Sequence, residues 1–344
     1  MDSVTLLYSE IKQMDLNSNE SIYTAVKEAH ARISNHIRKT PLEYSVHLSK
    51  KTGCNVYLKL ENEQITGSNK ARGAFNKVLS LLEDPGHQGK SIKFFAVSSC
   101  GNHALAMMHA LNQTGQIGEV YVPTFVKKNK LDDLEARGAD VRIRGDDMDD
   151  TEIFARKEAE TREGVFVSAY GDPEVLAGQG TVGLEIISEL KHVDAIFVSV
   201  GGGGIIGGIS SYVKHISPHT KVIGCSAEAS NCMEQSIKHG KPINIVSKST
   251  LADGLVGNIG LDSITFSVCQ RNVDRWITVT EDEIYKAMFI MLNDHHKVAE
   301  GAAGVALASF LRVQEEYKGQ NVVVLICGGY VYADDLAKVI DYCK

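Results

Sequence analysis

The chain has 344 residues, of which 43% are apolar, and a formal charge of −7. A chain of this size can bury a large core and divide into two lobes. Because it is acidic and has no basic runs, nucleic acid and anionic membranes are not expected as partners. We find no long apolar span and no signal-peptide pattern after Met1, and the seven cysteines are scattered, which favours reduced thiols and a cytoplasmic protein.

The first predicted elements lead to a candidate lysine. Apolar spacing predicts an amphipathic helix over residues 21–37, and residues 55–60 read as a short strand. The turn Gly67-Ser-Asn-Lys-Ala-Arg-Gly73 opens a helix that runs to about Glu83, and Asp84-Pro-Gly86 ends it. Lys70 at this junction is either a solvated cation or a buried amine that loses its charge and acts as a nucleophile.

Strands and helices alternate from residue 91 to residue 170, which predicts a compact open α/β unit inserted within a larger one. Strands are expected near 92–98, 119–125, 139–143 and 165–170, with helices near 102–115, 131–138 and 151–163. The loop Ser98-Ser-Cys-Gly-Asn-His103 follows the first of these strands and opens a helix. Its free N–H groups suit a carboxylate, although an ordinary polar helix cap and a packed His103 are the alternatives.

A second α/β series follows residue 171. Helices are predicted near 178–190, 205–216 and 303–317 and after the capping box Thr280-x-x-Glu283, with strands near 195–200, 221–227, 276–279 and 321–327. We therefore expect an α/β fold with two open, twisted, mostly parallel sheets flanked by helices. The small lobe would span 91–170, and the large lobe would comprise 1–90 and 171–344, with the chemistry in the cleft between them.

Four consecutive glycines, Gly201, Gly202, Gly203 and Gly204, connect an apolar strand to a helix. Without side chains the backbone can approach a ligand closely, and its N–H groups predict a phosphate cradle. Gly202-x-Gly204-x-x-Gly207 also fits a dinucleotide fingerprint, with Glu228 near the place of a ribose-binding acid, so a nicotinamide-dependent oxidoreductase is an alternative. A lysine together with a phosphate cradle would instead suit a Schiff-base cofactor.

Cys327 follows the last apolar strand. A cysteine there is usually a small core residue, although a thiol beside a pyridine nitrogen would leave that nitrogen largely unprotonated.

Seven motifs occur together in order along the chain. They are Ser68-Asn-Lys-Ala-Arg-Gly73, Ser99-Cys-Gly-Asn-His103, Ala177-Gly-Gln-Gly-Thr181, the four glycines, Ala252-Asp-Gly254, Glu300-x-x-Ala-Gly304 and Cys327-Gly-Gly329. This set resembles the fold type II pyridoxal-phosphate enzymes, in the serine racemase and serine/threonine dehydratase branch, from about residue 20 to the end. The dinucleotide interpretation explains neither Lys70 nor residues 177–181.

The resemblance implies specific roles for the motif residues. Lys70 would hold pyridoxal 5'-phosphate as an aldimine, the four glycines would bind its phosphate, Asn102 its ring hydroxyl and Cys327 its pyridine nitrogen, with Glu300 also at the cofactor. The substrate carboxylate would be held by Ser99, Asn102 and His103. A Mg²⁺ or Ca²⁺ site would fall on Glu228, Glu234 and the carbonyl of Cys232, unless these acids are simply solvated. Members of this family are usually homodimers.

Several positions depart from the family's pattern. Asn69 replaces an aromatic residue, Tyr170 an asparagine near the cofactor ring, Gly257 a serine and Gly301 a proline, and Tyr330 follows the last glycine pair. These positions line or support the pocket, and Tyr170 is counted with the substrate-binding residues. The changes therefore concern the substrate more than the cofactor.

Cys100 stands where the racemase branch carries a serine on the cofactor face opposite the lysine. Racemisation needs a base on each face, and a thiol carries protons near neutral pH better than an unassisted hydroxyl. We expect an amino-acid racemase and/or serine/threonine ammonia-lyase that uses Lys70 and Cys100. The alternatives are a β-replacement enzyme resembling cysteine synthase, the nicotinamide oxidoreductase and a non-catalytic binding protein. Cys100 would otherwise be only a small residue near the ring.

Overall fold

The computed structural model describes residues 14–84 and 92–344. The predicted lobe boundary between residues 90 and 91, the Pro85-Gly86 helix stop and the segment after Met1 lie outside these ranges. Within them no helix is both long and apolar enough to span a membrane.

The helices in chain order are α1 Asn19–Ile33, α2 Val46–Thr52, α3 Lys70–Glu83, α4 Asn102–Thr114, α5 Lys128–Ala136, α6 Met148–Thr161, α7 Pro173–Glu189, α8 Gly204–Ile216, α9 Cys232–His239, α10 Ile264–Asn272, α11 Glu281–His295, α12 Gly301–Val313 and α13 Ala333–Cys343. The strands are β1 Leu42–Tyr44, β2 Asn55–Leu60, β3 Phe95–Ser98, β4 Gly118–Val122, β5 Asp140–Ile143, β6 Val165–Phe166, β7 Ala195–Ser199, β8 Lys221–Ala227, β9 Arg275–Val279 and β10 Asn321–Ile326.

The larger sheet has six strands in the order β1-β2-β10-β7-β8-β9. Its pairs are parallel apart from β1, which runs antiparallel to β2 at the edge. The central strands β7 and β10 are almost continuously apolar because helices cover both faces, as expected for a parallel sheet. The predicted α/β class with mostly parallel sheets is confirmed.

The smaller sheet has four parallel strands in the order β5-β4-β3-β6, all between residues 95 and 166. Strands of the larger sheet both precede and follow this segment in the chain, so the small unit is inserted in the large one. A second apolar core joins this sheet to α3 through Ala71, Ala74 and Phe75, which pack with Phe95 and Val97. The helix that begins at Lys70 is therefore anchored against the small sheet.

The carboxyl ends of the strands place the predicted motifs near one another. In parallel sheets these ends meet at one edge, where α/β proteins bind ligands. At the edge of the larger sheet β7 leads into the four glycines and β10 into Cys327. In the smaller sheet β3 leads into the loop that starts α4, and Asn102 of this helix reaches Glu300 of the large unit. An antiparallel bridge from Ser68 to Gly328 joins the lysine loop to the end of β10.

Four helices, α2, α9, α10 and α13, and the edge strand β1 were not predicted. The strand has three residues and α2, α9 and α10 have seven, eight and nine, so their apolar period is brief. Helix α13 has 11 residues and was missed in spite of its length. Helix α7 begins at Pro173 rather than at residue 178. The Asp172 side chain accepts hydrogen bonds from the N–H groups of Glu174 and Val175 and caps the helix earlier.

Candidate active site

The four glycines form a close turn between β7 and the amino end of α8, which begins at Gly204. Gly203 has φ +85°, a conformation that disfavours other residues. A Cβ atom on Gly202 would lie 2.2 Å from Cγ of Tyr170. The turn therefore has no room for a side chain at this position. A bare backbone turn followed by a helix N-terminus is suited to bind an anion.

Lys70 is the first residue of α3 and lies against the end of β10. The Asn69 N–H donates to the Cys327 carbonyl at 3.0 Å, and the Gly329 N–H donates to the Gly67 carbonyl at 3.0 Å. The Lys70 side chain is partly accessible along its length, but its amine is surrounded by protein. Burial lowers the pKa of this amine, although Cys327 and Glu300 oppose the shift. A neutral amine is available as a nucleophile and a base.

Glu300 lies at the centre of a buried polar cluster beside this amine. Asn102 Nδ2 donates to both carboxylate oxygens, at 3.0 and 2.8 Å, and the Tyr330 N–H donates to Oε2 at 3.1 Å. Cys327 Sγ is 3.9 Å from Oε1 and accepts a hydrogen bond from Ser199 Oγ at 3.5 Å. Burial raises the pKa of Glu300 to about 7 and that of Cys327 to about 12. The thiol is therefore neutral at physiological pH.

The loop before α4 contributes Ser99, Cys100 and His103. Cys100 is half-buried, and burial raises the pKa of its thiol against the attraction of Lys130. The His103 ring is buried, with Nε2 3.1 Å from the Val167 carbonyl, and burial lowers its pKa to about 4. His103 is therefore a neutral, packed histidine whose ring is already bound. Its contribution to the carboxylate site would have to come from the backbone at the start of the helix.

Tyr170 packs on the glycine turn rather than lining an open pocket. Its ring lies against Gly202, its backbone approaches Gly204, and its hydroxyl donates to the Asn258 carbonyl at 3.3 Å. Burial raises the pKa of the phenol to about 12. Its predicted role as a substrate ligand stays a prediction, and the contacts place it beside the glycine turn.

The family model for pyridoxal-phosphate dependent enzymes matches residues 33–328. The chain belongs to this family. It is 36% identical over 316 residues to L-threonine ammonia-lyase of Thermotoga maritima, a match that covers 92% of this chain and 77% of the relative. It is 35% identical over 315 residues to the catabolic L-threonine dehydratase of Escherichia coli K12, covering 91% and 93%. The serine racemase structure from Dictyostelium discoideum superimposes with a TM-score of 0.82 at 31% identity, covering 90% of this chain and 98% of that one.

The residues present fit the cofactor of pyridoxal-phosphate enzymes. The side-chain-free turn at Gly202 and Gly203 provides an anion cradle, and Lys70 provides a buried amine that can condense with an aldehyde. Asn102 Oδ1 is buried and has no hydrogen-bond partner among the described residues. A buried acceptor without a partner, on a side chain that binds Glu300, is expected where a polar ligand completes a site. The nicotinamide alternative is not supported.

The predicted metal positions do not form a cluster of side-chain ligands. Glu228 is exposed, and Glu234 accepts hydrogen bonds from Lys238 Nζ at 2.6 Å and from the Thr278 hydroxyl. The Cys232 thiol donates to the Ile243 carbonyl at 3.1 Å. Within residues 14–84 and 92–344, no group of three or more His, Cys, Asp or Glu side chains could hold an ion. The divalent-cation site therefore stays a prediction and enters no step below.

Sequence reasoning missed a buried ion network that supports Lys70. Arg72 is fully buried and binds Glu61 at 2.8 Å and Glu185 at 2.7 Å, and Glu185 also accepts from Lys59 at 2.5 Å. The signal was available, because charged residues at 59 and 185 interrupt an apolar strand and an apolar helix. The network fixes the first turn of α3 in the core.

Contacts between the small unit and the rest of the chain were also missed. Lys130 on α5 pairs with Asp253 at 2.9 Å, and one helical turn later Asp133 accepts from the Tyr330 hydroxyl at 2.8 Å. Tyr330 also bonds Glu300 through its backbone N–H. These partners are far apart in sequence, so the one available signal was Tyr330 itself, a departure from the family's pattern.

Proposed function

We propose that this chain is a pyridoxal-phosphate-dependent ammonia-lyase for a small β-hydroxy amino acid, and that it also inverts the configuration at Cα. The observation that carries this proposal is the buried Lys70 amine, whose pKa burial lowers, near Glu300 and Cys327, in a chain that also has a side-chain-free glycine turn. The named activities of the two threonine-converting relatives and of the serine racemase support the substrate class.

Lys70 would hold the cofactor and then act as the base at Cα. The cofactor, when bound, supplies an aldehyde that takes the substrate's amino group and a ring that draws electrons from Cα. Gly201, Gly202, Gly203 and Gly204 would bind its phosphate, and Asn102, Glu300 and Cys327 its ring. Because burial favours the neutral Lys70 amine, that nitrogen can accept the Cα proton without first losing one of its own.

The start of α4 would hold the substrate carboxylate. The free N–H groups of Asn102 and His103 lie at a helix N-terminus, and the Ser99 hydroxyl lies in the preceding loop. A carboxylate fixed there orients the Cα–H bond, which is the positioning that Lys70 needs. The His103 ring stays bound to the Val167 carbonyl throughout.

The fate of the Cα carbanion would decide the product. If the β-hydroxyl leaves as water with the proton that Lys70 took from Cα, subsequent hydrolysis would give a 2-oxo acid and ammonia. Reprotonation on the opposite face gives the enantiomer, and Cys100 would donate that proton. Burial keeps the pKa of its thiol high, so the group is protonated and ready to donate in the pH range where Lys70 is a base.

We also propose that residues 91–170 form a mobile small domain that closes on a large domain of residues 1–90 and 171–344. The Lys130–Asp253 and Tyr330–Asp133 contacts support closure, because each joins α5 to the large domain near the active site. Closure would exclude water while the carbanion exists.

A homodimer, a cytoplasmic location and a divalent cation at Glu228, Glu234 and the Cys232 carbonyl complete the proposal. The described cysteines are all free thiols, which agrees with a reducing compartment. The dimer and the cation rest on the family resemblance alone. Size-exclusion chromatography with light scattering measures the oligomeric state and so tests the homodimer.

The deciding experiment combines two measurements on the purified, cofactor-loaded protein. Borohydride reduction and peptide mapping should find the cofactor on Lys70. Deuterium exchange at Cα across L- and D-amino acids should then identify the substrate, with a 2-oxo acid as the product of elimination. An unmodified Lys70 contradicts the proposal.

The exchange assay also separates the rivals. A β-replacement enzyme would need a second nucleophile such as sulfide before it released product. A non-catalytic binding protein would carry the cofactor and exchange no Cα hydrogen.

A further inference from the structure

The Glu300 carboxylate is surrounded by donors. Asn102 Nδ2 reaches both oxygens, the Tyr330 N–H reaches Oε2, and the Cys327 thiol lies 3.9 Å from Oε1. The oxygens also lie close to the backbone, since a Cβ on Gly328 would be 2.6 Å from Oε1. All of these contacts suit an ionised carboxylate, which only accepts.

The two polar atoms of the Asn102 side-chain amide differ in their hydrogen bonding. Its Nδ2 is satisfied twice by Glu300, while its Oδ1 is buried and has no partner among the described residues. If Glu300 were protonated, its O–H would need an acceptor, and Asn102 Oδ1 is a buried acceptor on the residue already bound to it. Turning the amide by half a revolution would bring Oδ1 to Glu300 and direct Nδ2 away from it. This rotation of the amide gives Oδ1 a hydrogen-bond partner and leaves Nδ2 free to donate.

We propose that Glu300 takes up one proton when the cofactor binds, and that the Asn102 amide turns over at the same time. The proton comes from solvent and stays on a Glu300 oxygen, from which it is donated to Asn102 Oδ1. Asn102 Nδ2 is then free to donate to the ring oxygen of the cofactor. Glu300 is thus a positioning residue that acts through Asn102. This inference rests on the proposed function.

The electrostatic surroundings suit such a change near neutral pH. Burial raises the pKa of Glu300 to about 7, Asp253 adds to the rise, and the hydrogen bonds from Asn102 and the Tyr330 N–H and the charge of Lys70 oppose it. Asp253 is itself paired with Lys130. The further titratable groups around the adjoining cavity and cluster are Cys327, Lys127, Glu281, Tyr285, Tyr330, Tyr332, Asp335 and Lys338.

The pH dependence follows from proton linkage. Above pH 7 the cofactor-free protein has mostly ionised Glu300, so binding must bring a proton with it. Each pH unit above that point should then weaken cofactor affinity about tenfold, until the pKa of the loaded form is reached. Condensation at Lys70 and the cofactor phosphate have pH dependences of their own. Both of these pH dependences are common to wild type and to a Glu300 variant. The difference between the two proteins therefore gives the contribution of Glu300 to the pH dependence of cofactor affinity.

The test is isothermal titration of pyridoxal phosphate into the cofactor-free, full-length protein at pH 8, in two buffers with different ionisation enthalpies. The dependence on buffer gives the number of protons taken up. Wild type should take up close to one proton more than Glu300→Gln, whose amide can donate to Asn102 Oδ1 without protonation. In the Asn102→Ala background, the difference made by Glu300→Gln should disappear.

Equal proton counts in wild type and Glu300→Gln, with both proteins shown by absorbance to be loaded, would overturn the inference and leave the proposed function standing. Infrared spectra of wild type provide a second measurement that needs no variant. The carbonyl stretch of a protonated carboxyl should appear on loading, and its absence would also overturn the inference. If pyridoxal phosphate does not bind and Lys70 is not labelled, the proposed function and this inference fail together.

Discussion

The contact between Tyr170 and the glycine turn leads to the sharpest prediction. In Gly202→Ala the new Cβ would meet three ring atoms of Tyr170 at 2.2, 2.4 and 2.6 Å. Ordinary carbon contacts are about 3.5–4.0 Å, so the ring or the turn must retreat by more than about 1 Å. Overpacking of this kind costs about 1–3 kcal/mol. If the turn moves, the cradle is distorted and cofactor affinity should fall about 5-fold to 150-fold.

A double-mutant cycle tests whether Tyr170 is the cause. Asparagine is the residue that the resemblance predicts at position 170, and it is much smaller than tyrosine. Gly202→Ala should therefore cost clearly less cofactor affinity in Tyr170→Asn than in wild type, with a coupling energy of at least about 1 kcal/mol. Absorbance titration with pyridoxal phosphate measures affinity, and urea unfolding of the cofactor-free proteins separates lost affinity from lost stability.

Two results would refute the reasoning. Gly202→Ala could bind the cofactor as wild type does, which would mean that the Tyr170 ring retreats and leaves the turn in place, or that the turn is not the phosphate site. Alternatively, the two substitutions could act independently within about 0.3 kcal/mol, which would mean that Tyr170 does not limit the space at Gly202.

Three further predictions concern catalysis, stability and the cation. Cys100→Ala should reduce racemisation at least about tenfold, as loss of a proton carrier would, and leave elimination unchanged in a product assay, whereas equal effects on both would remove its second-face role. Arg72→Met should lower the free energy of unfolding by about 3–5 kcal/mol in urea, because Glu185 loses a buried partner. Burial alone would raise the pKa of Glu185, but Arg72 and Lys59 outweigh burial and lower it. Ionised Glu185 therefore stabilises the wild-type fold, and this stabilisation should be lost as the pH falls through the lowered pKa. The Arg72→Met variant should lose less stability over the same pH range. Ca²⁺ or Mg²⁺ should raise the Tm of wild type but not of Glu234→Gln, and equal shifts would exclude Glu234 as a ligand.

The sheets could be predicted from the sequence because their strands are strongly patterned. β7 and β10 are continuous apolar runs bounded by glycine, and the Thr280-x-x-Glu283 capping box starts α11 where expected. The edge strand β1 was missed because three residues show no period, and its existence depends on pairing with β2. The apolar period of a segment shows which of its residues are buried, whereas β1 is a strand mainly because it pairs with β2.

The site could be predicted at the level of motifs but not of contacts. The glycine turn and Cys327 each lie where a strand ends, and strand ends of parallel sheets converge, while Lys70 opens the helix that follows β2. The sequence could not show that His103 would be bound by Val167, or that Tyr170 would fill the space above Gly202. Both depend on the distance between two segments that pack only after folding. The departures from the family's pattern nevertheless pointed to the positions where new contacts lie.

The departures at 170 and 330 have one physical consequence in common. Each places a phenol at a departure from the family's pattern, and each phenol forms a contact between segments distant in sequence, Tyr170 with the 258 loop and Tyr330 with Asp133 on α5. Tyr330 also bonds Glu300 through its backbone N–H, so the contact with α5 and the hydrogen bonds of Glu300 share one residue. If the small domain closes as proposed, a displacement of Tyr330 by α5 would therefore also change a hydrogen bond of Glu300.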